Sequence, residues 1–409
     1  MKKEKSLYSL SLLFLILMGV VSMLSDMTHE GAKSVYGSFL GLAGASPTVI
    51  SFISGLGEFI GCALILLTGY IANKTKKYWT MTFVGYGINL IAIPLLALTM
   101  ENGWIYACSI IVLERVGKAI RKPAKSTLVS FSSKNLGEGK SFAFVEFLDQ
   151  IGAFIGPLIL TLVLYLKGKT NLFDSYRTGF LVLGIPAIIT LSILVLARIK
   201  YPHPEKLEED TTEVNKEKFK INKSFLFYLI AIGLCAFGFI DFPLITYHVG
   251  TLNLFKEENL PLLYSLAMLI DAFAALLFGF LFDKWGIKTL IISTLISFAS
   301  PLFIFTDFTN KAFIYIGVIL WGCGMGAQES ILKSAVAKLV SKNNRSLGFG
   351  VFEGIFGLCW FIGSYVLGLV YEASLTWLVI ISMSVTFISI IFFLLSSVNF
   401  KKQSLLISK

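Results

Sequence analysis

Charged side chains within long apolar stretches are the residues of this chain with the clearest chemical potential. The first apolar stretch carries Asp26, His29, Glu30 and Lys33 at spacings of three, four and seven, so they share one stripe of a helix. A charge at mid-membrane costs about 3 kcal/mol and usually faces a cavity or a partner. We interpret the stripe either as a cavity-facing coupling or substrate site, or as the outer end of a helix at the membrane interface.

The fourth apolar stretch is the densest in charge, and the fifth adds two acids. Arg115 and Lys118 lie too deep to reach lipid headgroups, and Glu146 and Asp149, three residues apart, share a face of the following helix. The four could form buried ion pairs that hold the helices together. The acids could equally exchange protons while the basic groups bind or release substrate. For the basic residues nearer the helix end we favour extension to the headgroups: Arg121, Lys122 and Lys125.

Three further acids lie in apolar surroundings. Glu58 sits in a glycine-rich stretch, 55–61, that no strand precedes, which excludes a nucleotide-binding loop. It is a candidate titratable acid or a partner for a base of the fourth stretch. Asp241 and Asp271 have no basic neighbour in their own helices, so each must be neutral, paired across helices or hydrated. A carboxyl group in apolar surroundings binds a proton more readily, as a proton carrier requires.

The elements that position these residues are membrane helices. The chain is 56% hydrophobic and only 15% charged, with a mean hydropathy of +0.78, whereas soluble domains are about 25% charged. Apolar runs long enough to cross about 30 Å of hydrocarbon recur throughout. We predict an all-α membrane protein with twelve spans, at roughly 7–39, 47–71, 79–99, 104–131, 141–166, 178–198, 224–249, 261–282, 288–306, 312–340, 346–371 and 375–398.

One long polar segment, 199–223, divides the chain into six-helix bundles at 1–198 and 224–409. Lysine and arginine are concentrated in the N-terminus, this linker, the loops after even-numbered spans and the C-terminal tail. The positive-inside rule therefore places both termini in the cytoplasm, with the protein in the plasma (inner) membrane. The net charge of +10 follows from this topology and does not indicate nucleic-acid binding.

A ten-residue pattern occurs twice, 210 residues apart, each time between two apolar stretches. Each copy opens with glycine, has a short polar residue four positions later and is rich in lysine. Such repetition predicts two homologous helix bundles, with a site between the halves. The residues of the two copies are Gly69, Asn73, Lys74 and Lys77, and Gly279, Asp283, Lys284, Gly286 and Lys288.

The twelve spans, the central linker and this loop pattern resemble the major facilitator superfamily of secondary transporters. The loops resemble the family motif G-x-L-x-D-R-x-G-R-K, which the second copy follows at Gly279, Leu281, Asp283, Gly286 and Lys288. In the first copy Asn73 replaces the acid and Lys76 the second glycine. The resemblance implies that these loops act as cytoplasmic gates and that the acid caps a helix of the opposite half, which latches the outward-facing state.

Two further motifs are similar to those of the family. Arg115 to Ala119 resembles R-x-x-Q-G, with Lys118 in place of the glutamine. Gly152, Gly156 and Pro157 match G-x-x-x-G-P, the antiporter motif, without the glycines that usually follow. The resemblance implies alternating access, and together with the embedded acids it favours proton-coupled efflux by antiport.

Two alternatives stay open within the transporter class. Arg115, Lys118 and Arg121 could clamp an anionic metabolite taken up with protons. Asp26, His29 and Glu30 could pass a divalent metal, although they have no further histidine or cysteine near them in sequence for a soft metal.

Other classes find less support. There is no nucleophile elbow, paired histidine motif or phosphate loop, so we expect no catalytic residue, no enzyme activity and no cofactor. The five cysteines show no CxxC spacing. The linker is too short for the output domain of a sensor. We expect a monomer whose partners are a small-molecule substrate, protons and membrane lipid, with no nucleic acid.

Overall fold

A computed structural model describes residues 2–136, 138–167, 171–207, 222–252, 254–306, 310–340 and 345–407. The described residues are helical, without a strand. The α-helices are α1 (Lys2–Lys33), α2 (Tyr36–Leu42), α3 (Pro47–Thr75), α4 (Tyr78–Leu95), α5 (Trp104–Leu136), α6 (Glu138–Lys167), α7 (Leu172–Lys200), α8 (Lys223–Gly238), α9 (Phe242–Thr251), α10 (Leu260–Trp285), α11 (Lys288–Ser297), α12 (Ser300–Phe305), α13 (Lys311–Leu339), α14 (Arg345–Ala373) and α15 (Leu375–Ile407).

The all-α membrane class is confirmed. Among the described residues, 10 helical segments are long and apolar enough to cross a membrane. The other two predicted spans correspond to α5 and α13. Helix α5 falls short in apolar character because it carries the dense charge of the fourth stretch. The helices are consistent with twelve spans.

Three predicted spans are interrupted rather than continuous. Spans 1 and 9 become the pairs α1–α2 and α11–α12, and span 7 stops at Gly238 and restarts at Phe242. Pro243 lies in the first turn of α9, where a missing N–H costs nothing. Gly238 packs against α15, where an added Cβ would lie 2.5 Å from Thr386 Oγ1.

The chain forms two compact units. The first contains Met1–Ala45, Ala63–Thr212 and Lys256–Ser265, and the second contains Ser46–Cys62, Glu213–Phe255 and Leu266–Lys409. Helices α3 and α10 therefore contribute to both. The division at 198 and 224 stays a prediction, and linker residues 208–221 lie outside the described part of the chain.

Within the first unit, α1 packs backbone to backbone against α6. A Cβ added at Gly152 would collide with the Met23 carbonyl oxygen, and one at Gly156 with that of Met27. Small residues permit such close approach between membrane helices. The glycines of the antiporter-like motif thus set the distance between the charged stripe of α1 and the acids of α6.

Candidate functional site

Three helices of the first unit, α1, α5 and α6, bring charged side chains together, and glycines let them and α4 approach. A Cβ at Gly85 of α4 would lie 2.5 Å from Arg121 N, and one at Gly117 of α5 would lie 2.5 Å from Asn89 N. Helices α4 and α5 are therefore in direct contact. We call the resulting group the buried charge cluster; it comprises Asp26, His29, Glu30, Lys33, Glu114, Arg115, Lys118, Arg121, Lys125 and Asp149.

His29 lies at the centre of the cluster, between two carboxylates. Its side chain and that of Glu114 are fully buried, with 2.8 Å between His29 Nδ1 and Glu114 Oε1. Its Nε2 lies 3.5 Å from Glu30 Oε1. Among the described residues, neither ring nitrogen has a hydrogen-bond partner of good geometry. The contacts are therefore close approaches between the carboxylates and the ring nitrogens.

Glu114 has two further partners besides His29. The Asn89 side-chain amide donates to Glu114 Oε1 and, at 3.3 Å, to the Glu114 carbonyl oxygen. Arg115 Nε lies 3.6 Å from Glu114 Oε2. Our candidate list omitted both Glu114 and Asn89. The sequence signal that could have identified this contact is Asn89 itself, a single asparagine within the apolar third stretch.

Glu30 is more accessible than Glu114 and contacts two lysines. Its carboxylate lies 3.7 Å from Lys33 Nζ and 4.0 Å from Lys118 Nζ, and it accepts a hydrogen bond from Tyr264 Oη at 2.5 Å. The Glu30 side chain is 12% exposed and that of Lys118 29%. Tyr264 belongs to the first unit through the start of α10. Sequence reasoning could not find it, because 234 residues separate it from Glu30.

Arg121 and Lys125 are bound inward, so their expected extension to lipid headgroups was wrong. Arg121 Nη2 lies 3.6 Å from Asp26 Oδ1, and its guanidinium sits 4.3 Å from the centre of the Tyr86 ring. Lys125 Nζ lies 3.4 Å from Asp149 Oδ2. The buried contacts stabilise these two side chains more than contact with the lipid headgroups would. Lys122, in contrast, is exposed.

The two acids of the fifth stretch separate. Asp149 faces α5 through Lys125, whereas the Glu146 side chain is exposed. The cluster therefore holds four carboxylates and five basic side chains around one imidazole. Among the described residues, no group of three or more histidine, cysteine or acidic side chains has the arrangement needed for a metal ion. The structure thus gives no support to a metal site at Asp26, His29 and Glu30.

The second unit holds its acids differently. Asp241 sits at the break between α8 and α9, where Trp360 Nε1 donates to Oδ1 at 2.6 Å and Ser364 Oγ donates to Oδ2 at 2.5 Å. This acid is therefore partnered across helices by α14. Asp271 on α10 is 1% exposed, and Glu58 lies half-buried in the Ser46–Cys62 part of α3. Their roles stay predictions.

The two copies of the loop pattern adopt the same turn. Gly286 has φ +62°, and Lys76, which replaces it in the first copy, has φ +55°. Asn73 Oδ1 accepts a hydrogen bond from Lys76 Nζ at 2.9 Å. The remaining lysines of the pattern are exposed: Lys74, Lys77, Lys284 and Lys288. Gly69 is in ordinary contact with Pro123, and Gly279 faces open space. The Asp283 side chain lies outside the described residues.

Comparisons with known proteins agree with this architecture. A family model described as "Major Facilitator Superfamily" matches residues 7–326 and 257–405. An uncharacterised protein of Mycobacterium tuberculosis is 32% identical over 382 residues, which are 92% of this chain and 91% of that protein. The class H tetracycline resistance protein of Pasteurella multocida is 29% identical over 160 residues, 38% of this chain and 39% of its own length.

Solved structures show the same fold. The crystal structure of the nucleoside transporter NupG superposes with a TM-score of 0.71 at 12% identity, over 95% of this chain and 99% of that one. At this identity the likeness concerns the fold alone. The family match spans nearly all of the described helices, including both copies of the loop pattern. The chain therefore belongs to the Major Facilitator Superfamily.

Proposed function

We propose that this protein is a proton-coupled secondary transporter that exports a small molecule by antiport through alternating access, and that it has no enzymatic activity. The observation that carries the proposal is the buried charge cluster, in which carboxylates and cations stand within 4.0 Å of one another in helices of the membrane region. Export is supported by the partial similarity to a tetracycline resistance protein and by the motif at Gly152, Gly156 and Pro157.

The cluster suggests how a proton and a substrate would compete. Glu30 balances Lys33 and Lys118. A proton on Glu30 removes that balance and leaves two cations in a poorly solvated place, which is costly. A change of conformation or the arrival or departure of a charged ligand would relieve that cost. Proton binding and substrate binding would thereby share a coupling free energy.

A second candidate function is proton-linked uptake of an anionic metabolite. The basic residues of the cluster outnumber its carboxylates, and Lys118 is 29% exposed. Once Glu30 is protonated, Lys33 and Lys118 could hold a carboxylate or phosphate of the substrate. The two candidates differ in the direction of the proton relative to the substrate.

We further propose that the protein works as a monomer in the plasma (inner) membrane with both termini in the cytoplasm. The distribution of lysine and arginine among the loops supports this orientation. The loop patterns at Asn73 and Asp283 would then face the cytoplasm as gates.

The test is proton flux in proteoliposomes that contain a pH-sensitive dye, challenged with pools of organic cations including tetracycline, organic anions and divalent metals. Proton movement opposite to substrate supports export by antiport, and movement with substrate supports uptake. Glu30→Gln should abolish the response, while Glu101→Gln, a matched change at an exposed loop acid, should retain it. Tracer counterflow without proton movement would refute proton coupling.

A further inference from the structure

We propose that His29 relays protons between Glu30 and Glu114, so that Glu114 is the buried proton store of the cluster and Glu30 its entry point. This inference rests on the proposed proton-coupled function and specifies which groups carry the proton. The sequence placed His29 in the charged stripe of the first apolar stretch and among the weak candidates for a metal ligand, without a role of its own in proton transfer.

The geometry of the imidazole carries the inference. Nδ1 faces Glu114 Oε1 at 2.8 Å, and Nε2 faces Glu30 Oε1 at 3.5 Å. Imidazole is the side chain that can accept a proton at one nitrogen while it releases one from the other. A neutral imidazole has one N–H donor and one acceptor nitrogen, so the carboxyl group that faces the acceptor nitrogen must itself carry a proton to form a hydrogen bond. Here each nitrogen addresses a different carboxylate.

The two ends of the relay differ in access. Glu30 is 12% exposed and contacts Lys118, the most exposed base of the cluster at 29%. Glu114 is 0% exposed and is enclosed by His29, Asn89 and Arg115. A proton would therefore reach Glu30 from the aqueous side and would reach Glu114 only through the His29 ring.

The step balances without any co-reactant. Protonated Glu30 gives its proton to His29 Nε2 while the Nδ1 proton passes to Glu114 Oε1. Glu30 becomes a carboxylate, Glu114 becomes a neutral acid, and the imidazole changes tautomer but stays uncharged. Lys33 from α1 and Arg115 and Lys118 from α5 are the cations whose charge acts on the ring. Transfer in one concerted step avoids placing a fourth positive charge among them.

Three further titratable or charged groups face the relay. Tyr264 of α10 donates a hydrogen bond to Glu30, the buried Tyr36 of α2 interacts with Glu114 and Glu30, and the charge of Arg121 acts on Glu114. Helix α4 offers the uncharged Asn89 amide to Glu114, and α6 presents Gly156 to α1. Within the described residues, the acids in contact with the His29 ring are Glu30 and Glu114.

The first experiment needs protons alone as the probe. Infrared difference spectra of the reconstituted protein, recorded after a drop in buffer pH, should show a band from a newly protonated buried carboxyl group. The band should disappear in Glu114→Gln, and in His29→Gln it should form at least tenfold more slowly. Glu101→Gln should behave as wild type. No band lost in Glu114→Gln, or an unchanged rate in His29→Gln, would overturn the relay.

A second measurement tests the relay without the His29→Gln variant, in case that variant does not fold. The chain has three histidines, and His203 and His248 can be replaced by asparagine so that ¹⁵N-histidine spectra report His29 alone. The Nδ1 resonance should shift in Glu114→Gln and the Nε2 resonance in Glu30→Gln. If neither variant moves either resonance, the relay is refuted. The proposed transport function is judged separately, by substrate-driven flux, so either can fail without the other.

Discussion

Neutralising Asp26 should leave the buried guanidinium of Arg121 without its ion-pair partner and destabilise the first unit. The Arg121 side chain is 5% exposed, and its Nη2 lies 3.6 Å from Asp26 Oδ1. The Arg121 Nε atom is buried and has no hydrogen-bond partner in the part of the chain that the structure describes. In Asp26→Asn the guanidinium loses its nearest negative charge and keeps the face of the Tyr86 ring, 4.3 Å away.

The magnitude follows from distance and burial. At an effective dielectric constant of about 20, unit charges 3.6 Å apart attract by about 4–5 kcal/mol. Removal of one partner of a buried pair costs about 3–5 kcal/mol. Asp26 is 20% exposed, so solvent already weakens the pair. The remaining cation–π contact contributes about 1–2 kcal/mol and is kept. We expect Asp26→Asn to lower the free energy of unfolding by about 3 kcal/mol.

The assay is thermal unfolding in detergent with a thiol-reactive dye, because the five free cysteines lie in helices and become accessible on unfolding. Asp174→Asn is the matched control: its pair with Arg177 is shorter, at 3.0 Å, but exposed, so it should cost less than about 1 kcal/mol. The double variant Asp26→Asn/Arg121→Gln should be less destabilised than the sum of the single variants.

Two outcomes would refute this reasoning. An Asp26→Asn protein as stable as Asp174→Asn would mean that Arg121 reaches the interface after all. Strict additivity in the double variant would mean that the two side chains do not interact. Either result would restore the interpretation that Arg121 extends to lipid headgroups.

Three further changes test the packing around these sites, each by the same unfolding assay. Gly156→Ala should destabilise the protein by about 1–3 kcal/mol, because the added Cβ would meet the backbone of α1. At Gly87 an added Cβ would have no atom within 4 Å, so Gly87→Ala should stabilise by up to about 1 kcal/mol. Equal effects of the two changes would contradict the close packing. Gly286→Ala should cost about 1 kcal/mol at a positive φ, and Lys76→Gly should gain a similar amount; opposite signs would argue against the shared turn. Trp360→Phe should cost about 1–3 kcal/mol, since it removes the donor to the acid at the break of span 7, and a wild-type melting temperature would show that water replaces it.

The sequence predicted where the helices lie along the chain better than which neighbouring helix each charged face contacts. Hydropathy located the apolar spans, and spacing placed Asp26, His29 and Glu30 on one stripe, which the structure turns towards α5. Spacing within one helix carries no information about which helix lies opposite. For this reason the sequence did not predict that Arg121 pairs with Asp26, although Asp26 was itself a candidate residue.

Breaks within spans were also beyond a hydropathy pattern. Phe239 and Ile240 are apolar and could continue span 7, yet α8 ends at Gly238 and α9 begins at Phe242, because Pro243 has no N–H to continue the helix. The local signal was the order Asp241, Phe242, Pro243, an acid before a proline at a helix start. The repeated loop shows the converse: Lys76 breaks the glycine pattern in sequence but keeps the left-handed backbone, so the turn is set by its flanking helices.

Stability alone does not account for the buried charge cluster. Replacement of a buried ion pair by well-packed apolar side chains is often neutral or stabilising, so the fold of the first unit has no need of five buried or half-buried cations. The charges form a network whose balance of charge changes when one proton binds. At Glu30, a single proton alters the balance around Lys33 and Lys118, and through His29 it can be stored at Glu114 out of reach of water. A structural network would be most stable with its charges fixed, whereas this one places Glu30 beside Lys118, the most exposed base of the cluster. In the proposed transport cycle, this pairing lets one proton change the balance of charge that a substrate meets.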